Sequence, residues 1–323
     1  MKKAGSAVSY LIAFILILMI SFLLPRLMPG NPLMAIYGEE ALIAMTPELQ
    51  AELTQRFSLD DPLGTQFVSY FKALLHGDMG YSYFHNAPVF DVIIASLPWT
   101  LLLVGLAVLI SSILGVILGI ESGYRRGQTT DKVLLTGLIS LSGFPDFFIG
   151  ILLLLFFGVA LGIVPLAGAV TPYAGKAGLA LLIDVLHHLA LPLLALVLVR
   201  ITGTYLLTRN TMVTTLGESF ILTAKAKGCR EREIRYKHAG RNSLLPVITA
   251  AGLQLANSIT GALFIEIVFS YPGVGSLLYN SLLTRDYPLM QGILLVTTVV
   301  ILLANYLIDL LYTRLDPRVT YSR

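Results

Sequence analysis

A chain of 323 residues that is 56% hydrophobic and only 13% charged, with a mean hydropathy of +0.80, is too apolar for a soluble domain, where about a quarter of side chains carry charge. Its net charge of +3 is small, and its basic residues cluster between apolar runs, which marks membrane topology and argues against affinity for nucleic acid. The single cysteine, Cys229, excludes an internal disulfide and any paired-cysteine metal or redox motif, and its basic surroundings fit a reducing compartment.

A helix needs roughly 20 apolar residues to cross the hydrocarbon core, because its backbone groups must bond within the segment. Taken in chain order, Val8 to Met28 is the first such run; Lys2 and Lys3 precede it, but its long apolar core and the lack of a small-residue cleavage site make it a retained span. An outer segment, 29–98, follows. Thr46, Pro47 and Glu48 predict a helix start, with a hydroxyl cap and proline at the first helical position, and Leu49, Leu53 and Phe57 follow at near-turn spacing. Asp61 and Pro62 repeat the signal for a second helix, Pro62 to about Leu75, ending near Gly77 with Phe67, Phe71 and Leu74 on one face. These short amphipathic helices either anchor at the outer interface or also receive a partner.

Five further runs qualify as spans: Trp99 to Ile120, Val133 to Leu161, His188 to Leu207, Leu244 to Phe269 and Met290 to Tyr312. Ala177 to Val185 is apolar but short and carries Asp184, so it reads as an interfacial helix. Six spans place Lys2, Lys3, Arg125, Arg126, Lys132, the eight basic residues from Arg209 to Arg241, Arg314, Arg318 and Arg323 on one face, 16 of the 22 in the chain. That face is cytosolic by the positive-inside rule, with both termini on it. The outer stretches, 29–98, Gly162 to His187 and Ser270 to Leu289, carry most of the acidic residues. The chain is thus organised as one transmembrane domain: a first span (1–28), an outer capping segment (29–98), a five-span core (99–312) with a polar loop at 208–243, and a cytosolic tail (313–323).

A carboxylate near the bilayer centre costs roughly 2.5–3.5 kcal/mol on insertion scales, so those inside spans face protein or water. Asp146, Glu266 and Asp309 are the candidates. Asp146 follows Pro145, where a proline-broken helix would expose polar backbone. Glu266 either bonds a neighbouring helix or lines a path, and Asp309 reads as a boundary residue near the cytosolic end. The fifth run is small and polar, with Gly252, Gln254, Ala256, Asn257, Ser258, Thr260 and Gly261, which suits both a close helix interface and a pore wall. His187 and His188 raise the question of a metal site, and a structural role at the interface is the preferred reading. Catalytic and nucleotide-binding signatures do not appear: no GxxxxGK[ST], HExxH or GxSxG is present. An intramembrane hydrolase using Asp146 and Glu266 lacks any motif that brings them together.

Several blocks then carry a resemblance. TAKAKGCREREIRYKHAGRNSLLPVITAAGLQL, IEIVFSYPGVGSLLYNSLLTRDYPLMQGILLV and LIDLLYTRLDPR, with PGNP at Pro29 to Pro32, LDDPLGTQFVSYFKALLHGDMGYS from Leu59 and HLALP from His188, span nearly the whole chain. Together they resemble the membrane subunit of dipeptide, oligopeptide and nickel ABC importers. The resemblance implies an all-α, six-span type I importer permease in a prokaryotic inner membrane. It implies as partners a homologous second permease, two ABC ATPase subunits that bind ATP and magnesium, and an extracytoplasmic substrate-binding protein, with no cofactor or metal in this chain. It places a cytosolic coupling helix around Ser219 to Arg235, with Thr223, Ala224, Ala226, Lys227, Gly228, Glu231 and Arg232 as ATPase-coupling residues. Gly228 is the family's loop glycine, while Leu222, Thr223 and Ala224 stand where the general importer motif has Glu-Ala-Ala. The translocation path would draw on Asp146, Gln254, Asn257, Thr260 and Glu266. The expected cargo is a di- or oligopeptide, with nickel or a metal chelate as the alternative and an ATP-independent secondary transporter as a third reading.

Overall fold

In the computed structural model of the chain, residues 12, 14–23, 33, 42–43, 45–56, 61–82, 84–244, 247, 262–284 and 286–315 are described, the side chains at 53, 55, 56 and beyond 307 excepted. Lys2, Lys3, the Pro29 to Pro32 motif, Gly252, Gln254, Ala256, Asn257, Ser258, Thr260, Gly261, Arg318, Arg323 and the side chain of Asp309 lie outside that set.

The elements in order are α1 (Phe14–Leu23), α2 (Pro47–Arg56), α3 (Leu63–Leu75), a hairpin of β1 (Tyr81–Ser82) and β2 (Ala87–Pro88), and α4 (Val89–Tyr124). Then come α5 (Thr129–Ser142), α6 (Asp146–Leu153) running into a π-helical turn at Leu154–Ala160, and α7 (Gly178–Thr215). The last are α8 (Ser219–Ala226), α9 (Glu231–Glu233) with a π-helical continuation at Ile234–Gly240, α10 (Leu263–Val268), α11 (Val274–Leu283) and α12 (Tyr287–Leu315). Three described helices, α4, α7 and α12, are long and apolar enough to cross a bilayer, and α5 with α6, bent by 99°, is so only when the two are taken together as a broken span or a re-entrant loop. The chain divides into two compact units, Met1–Pro98 with Gly273–Leu302 and Trp99–Pro272 with Leu303–Arg323.

In the first unit the outer helices start where proline and hydroxyl signals put them. The Thr46 hydroxyl accepts the Leu49 N–H at 3.3 Å above Pro47, and α3 follows Pro62 and gives way to Gly77 at φ +78°. Phe67 stacks on Phe71 and meets Phe22 of α1 edge-on at 5.2 Å. The hairpin pairs Tyr81 with Pro88 and Ser82 with Ala87. Its Ser82 hydroxyl donates to Asp286 Oδ2 at 2.5 Å, while Asp286 Oδ1 accepts the Leu289 N–H and caps α12. Val89, Ile93, Val274, Leu277, Leu289 and Ile293 form the core of this unit.

In the second unit, α4 and α7 approach closely along a stripe of small residues. A methyl placed on Gly115, Gly119 or Gly123 would lie 2.7, 2.6 and 2.8 Å from the Cβ atoms of Thr204, Thr208 and Met212. Such small-residue spacing lets two membrane helices bring their backbones together and gain dispersion contact that larger residues would block.

Two sequence expectations are corrected and one, the break expected at Pro145, is located. The second apolar run starts at Val89, ten residues before Trp99, and Pro98 lies inside that helix without ending it. Ala177 to Val185 is no separate interfacial helix but belongs to the first turns of α7, since nothing in the sequence breaks the helix there. Asp184 needs no water in this position: its carboxylate accepts from the Thr171 N–H and hydroxyl, both at 2.7 Å, and from Lys176 Nζ at 2.6 Å. The run Val133 to Leu161 is two helices, broken at Gly143 to Pro145, because the proline ring and missing N–H end α5 before α6 begins.

Replacing Gly119 with leucine is expected to lower stability by about 1–3 kcal/mol through overpacking, whereas Gly105→Ala, where a Cβ meets nothing within 4 Å, is expected to be neutral. Thermal unfolding of the detergent-solubilised protein measures both.

Candidate functional site

The basic loop folds into a short helix seated by one face. Ile221 and Ala224 of α8 are buried, and Ile221 packs in a cluster with Ile120 of α4, Met212 of α7, Ile234 and Ala239. The opposite face carries Phe220 at 41% and Leu222 at 62% exposure, with Thr223, Ala226 and Lys227 also exposed. Two large apolar side chains are thus held outward beside charged residues.

The end of α8 is fixed by backbone geometry. Gly228 N–H donates to Lys225 O at 3.0 Å and Cys229 N–H to Ala224 O at 3.2 Å, with Gly228 at φ +75°, the Schellman arrangement of a helix C-terminus. No atom lies within 4 Å of a Cβ built on Gly228, so the constraint there is the left-handed conformation and not space. The next helix opens with the Glu233 carboxylate accepting the Arg230 N–H at 3.0 Å. Of the expected coupling residues, Thr223, Ala226, Lys227, Gly228, Glu231 and Arg232 are exposed together on this loop. Ala224 instead faces the chain's own core.

Two ionic clusters hold the loop's supports. Glu121 at the end of α4 accepts both carboxylate bonds from Arg235 Nη1 at 2.9 Å, a third bond from the Tyr236 hydroxyl, and pairs with Arg125 at 3.5 Å. Arg235 also lies over the Tyr124 ring at 4.2 Å. The bond to Glu121 pushes the Tyr236 phenol above its ordinary pKa. In the second cluster Asp131 of α5, only 3% exposed, accepts a fork from Arg209 of α7, Nε to Oδ1 at 2.6 Å and Nη2 to Oδ2 at 2.8 Å. Ser122 donates to Oδ1 at 2.5 Å and accepts from Tyr205 at 2.7 Å, and the Gly127 N–H donates to Oδ2 at 2.8 Å. Three helices therefore close on one fully bonded carboxylate.

Among the residues expected to line a path, Glu266 of α10 is fully buried and accepts from Thr100 at 2.6 Å. Asp146 begins α6 and lies 3.8 Å from Nη2 of Arg200 in the middle of α7. Gln254, Asn257 and Thr260 fall outside the described residues. His188 is buried and donates through Nδ1 to the Asp184 carbonyl at 2.9 Å.

Sequence reasoning passed over Ile221, Phe220 and Leu222 as the seat and outer face of α8. It read Arg209 and Arg235 only as topology charges and left Arg200, a lone cation inside an apolar run, unremarked. That last signal was available, since an arginine amid Leu and Val in a span demands a partner.

The chain matches the family described as "Binding-protein-dependent transport system inner membrane component" over residues 111–321, and its N-terminal companion family over residues 4–104. It is 34% identical over 322 residues to a di/tripeptide transport system permease protein of Pseudomonas aeruginosa, covering 94% of each chain. It is 31% identical to a dipeptide transport system permease protein of Escherichia coli over 96% of each, and 31% identical to an oligopeptide transport system permease protein of Bacillus subtilis over 94% of each. A crystal structure of an amino acid ABC transporter with histidines shares the fold, with a TM-score of 0.53 at 14% identity over 70% of this chain and 94% of that one.

Replacing the buried Asp131 with asparagine leaves the half-buried Arg209 guanidinium without its counter-charge and is expected to cost about 3 kcal/mol. Ser122→Ala, which removes one bond of the cluster, is expected to cost about 1 kcal/mol. Thermal melts of the two variants in one detergent give the ranking.

Proposed function

Because the chain belongs to the family of binding-protein-dependent transport system inner membrane components, we propose that it forms half of the path of an ATP-driven importer for di- or oligopeptides. Its family makes it a multi-pass inner-membrane permease and not an enzyme. In this proposal a homologous permease completes the path, two separate ATPase subunits bind ATP and magnesium, and a binding protein delivers cargo to the outer face. Both termini then lie in the cytosol, where the basic loops gather. The peptide cargo is supported by the naming of the relatives as di-, tri- and oligopeptide permeases; nickel is not favoured.

The observation that carries the coupling reading is the two-faced build of α8. Ile221 fastens the helix to α4 and α7, and Phe220 and Leu222 point outward beside Thr223 and Lys227. A push on the outer face from a closing ATPase pair is thereby delivered to the cytosolic ends of two long helices, and alternating access follows as a shift between two packed arrangements. The seven coupling residues act in this scheme as a unit: Thr223, Ala226 and Lys227 on the contact face, Gly228 setting the exit angle, Glu231 and Arg232 beyond the turn, and Ala224 as part of the seat.

Leu222→Glu is expected to weaken co-purification of the ATPase subunits by about tenfold or more, as loss of a central apolar contact does. Gly228→Val, forcing a β-branched residue into a left-handed conformation, is expected to leave the complex assembled while ATP hydrolysis continues without uptake in reconstituted vesicles. Wild-type uptake in the valine variant, together with wild-type assembly of the glutamate variant, would refute the coupling assignment.

A further inference from the structure

Among the described residues, two kinds of contact join the basic loop to α4. The cluster of Ile221, Ile234 and Ala239 with Ile120 is apolar. Apolar contact is non-directional, so it holds the loop against α4 without fixing its place along the helix. The second contact is ionic and directional. Glu121, next to Ile120, accepts from Arg235 Nη1 at 2.9 Å on both oxygens and from the Tyr236 hydroxyl, and the Arg235 guanidinium rests on the Tyr124 ring at 4.2 Å. Charge-assisted bonds of this kind set position as well as strength.

Local helix stability does not account for Glu121. It lies on the last turn of α4, which ends at Tyr124, and there the helix dipole disfavours an anion. Its pair with Arg125 is local, at 3.5 Å with the Arg125 side chain 43% exposed, and such pairs contribute little. Arg235 and Tyr236 come from 114 and 115 residues further along the chain, at the start of the π-helical turn Ile234–Gly240. That turn runs tight against α4, since a Cβ on Gly240 would lie 3.1 Å from Ile120 Cδ1. Glu121 therefore fixes the stretch beyond Gly228 to the end of α4. The Glu121 and Arg235 side chains are 23% and 16% exposed, a setting in which an ionic bond adds modestly to stability and still imposes geometry.

We propose that Glu121 is a positioning residue for coupling: through Arg235 and Tyr236 it ties the loop to α4, so that displacement of α8 and α9 carries the end of α4 with it and does not slide past it. Ile221 supplies attraction in this scheme, and Glu121 supplies register. Loss of the tie leaves α8 seated with its outer face intact. The ATPase subunits then still bind and hydrolyse ATP, while less of each closure reaches the spans. This assignment rests on the importer reading and adds to it a second, directional route from loop to span.

The test is the amount of ATP hydrolysed per peptide taken up, measured on the full reconstituted complex with its binding protein and a labelled pool of di- to pentapeptides. A residue that only stabilises the fold lowers uptake and hydrolysis together and leaves that ratio unchanged. Glu121→Gln keeps the shape and removes the charge; it is expected to assemble and to raise the ratio about fivefold or more, the lower end of ordinary coupling between sites. Arg235→Gln is expected to raise it as far, and the double variant no further than either alone, because each removes the same tie. A wild-type ratio in Glu121→Gln overturns the proposal, as do independent, multiplying effects of the two substitutions. Tyr236→Phe removes one hydroxyl donor from an exposed side chain and is expected to raise the ratio about twofold, the effect of one modest hydrogen bond. Where the other variants fail to assemble, a wild-type ratio in Tyr236→Phe overturns the proposal. Peptide uptake with an unchanged ratio in every variant sinks the tie alone, whereas a wild-type complex without ATP-driven uptake sinks the importer reading as well.

Discussion

The close contact of α4 with α7 is the constraint on which the second unit depends. Glycines at 115, 119 and 123 let the backbone of α4 lie against Thr204, Thr208 and Met212, and that approach sets Ile120 beside Met212. Only then is there a seat for Ile221, so the placement of α8 follows from three glycines far from it in sequence. The same contact brings Ser122 to Tyr205 and both to Asp131. Dispersion packing along the glycine stripe and the ionic cluster at Asp131 thus act on the same helix pair.

Much of this was legible in the sequence, wherever a residue acts locally. Thr46 and Pro47 start a helix because a hydroxyl cap and a fixed φ act within one turn, and Gly228 ends one because only glycine adopts a left-handed turn cheaply. Pro145 carried the signal for a broken span, though nothing local sets a bend of 99°. What stayed hidden depends on partners distant in the chain. Arg209 and Asp131 are 78 residues apart and Arg235 and Glu121 are 114 apart, so each basic residue read only as a topological charge. The early start of α7 was missed for a related reason: Asp184 looked like an interfacial residue until Thr171 and Lys176 supplied its bonds. The glycine repeat on α4 was readable from its spacing alone.

The outer face of α8 was located by resemblance and given chemistry by the structure. In the general importer motif a glutamate begins the triplet where this chain has Leu222, Thr223 and Ala224. With Leu222 exposed and Ala224 buried, the first position faces outward and the third inward. A change from glutamate to leucine at an outward position replaces a charge with an apolar contact, which favours a partner groove with matching apolar lining. On the proposed coupling assignment, exposed charge on this loop serves orientation in the membrane, while Phe220 and Leu222 carry the contact.

Arg200 and Arg209 lie on one continuous helix, about 13 Å apart along its axis. Arg200 lies 3.8 Å from Asp146 at a helix break, and Arg209 is locked into a cluster that also holds α4 and α5. Met212, in the last turns of the same helix, helps to seat Ile221 of α8. On the proposed coupling assignment a push on α8 therefore reaches α7 directly, and because the Asp131–Arg209 fork ties α7 to α5, the two helices respond together.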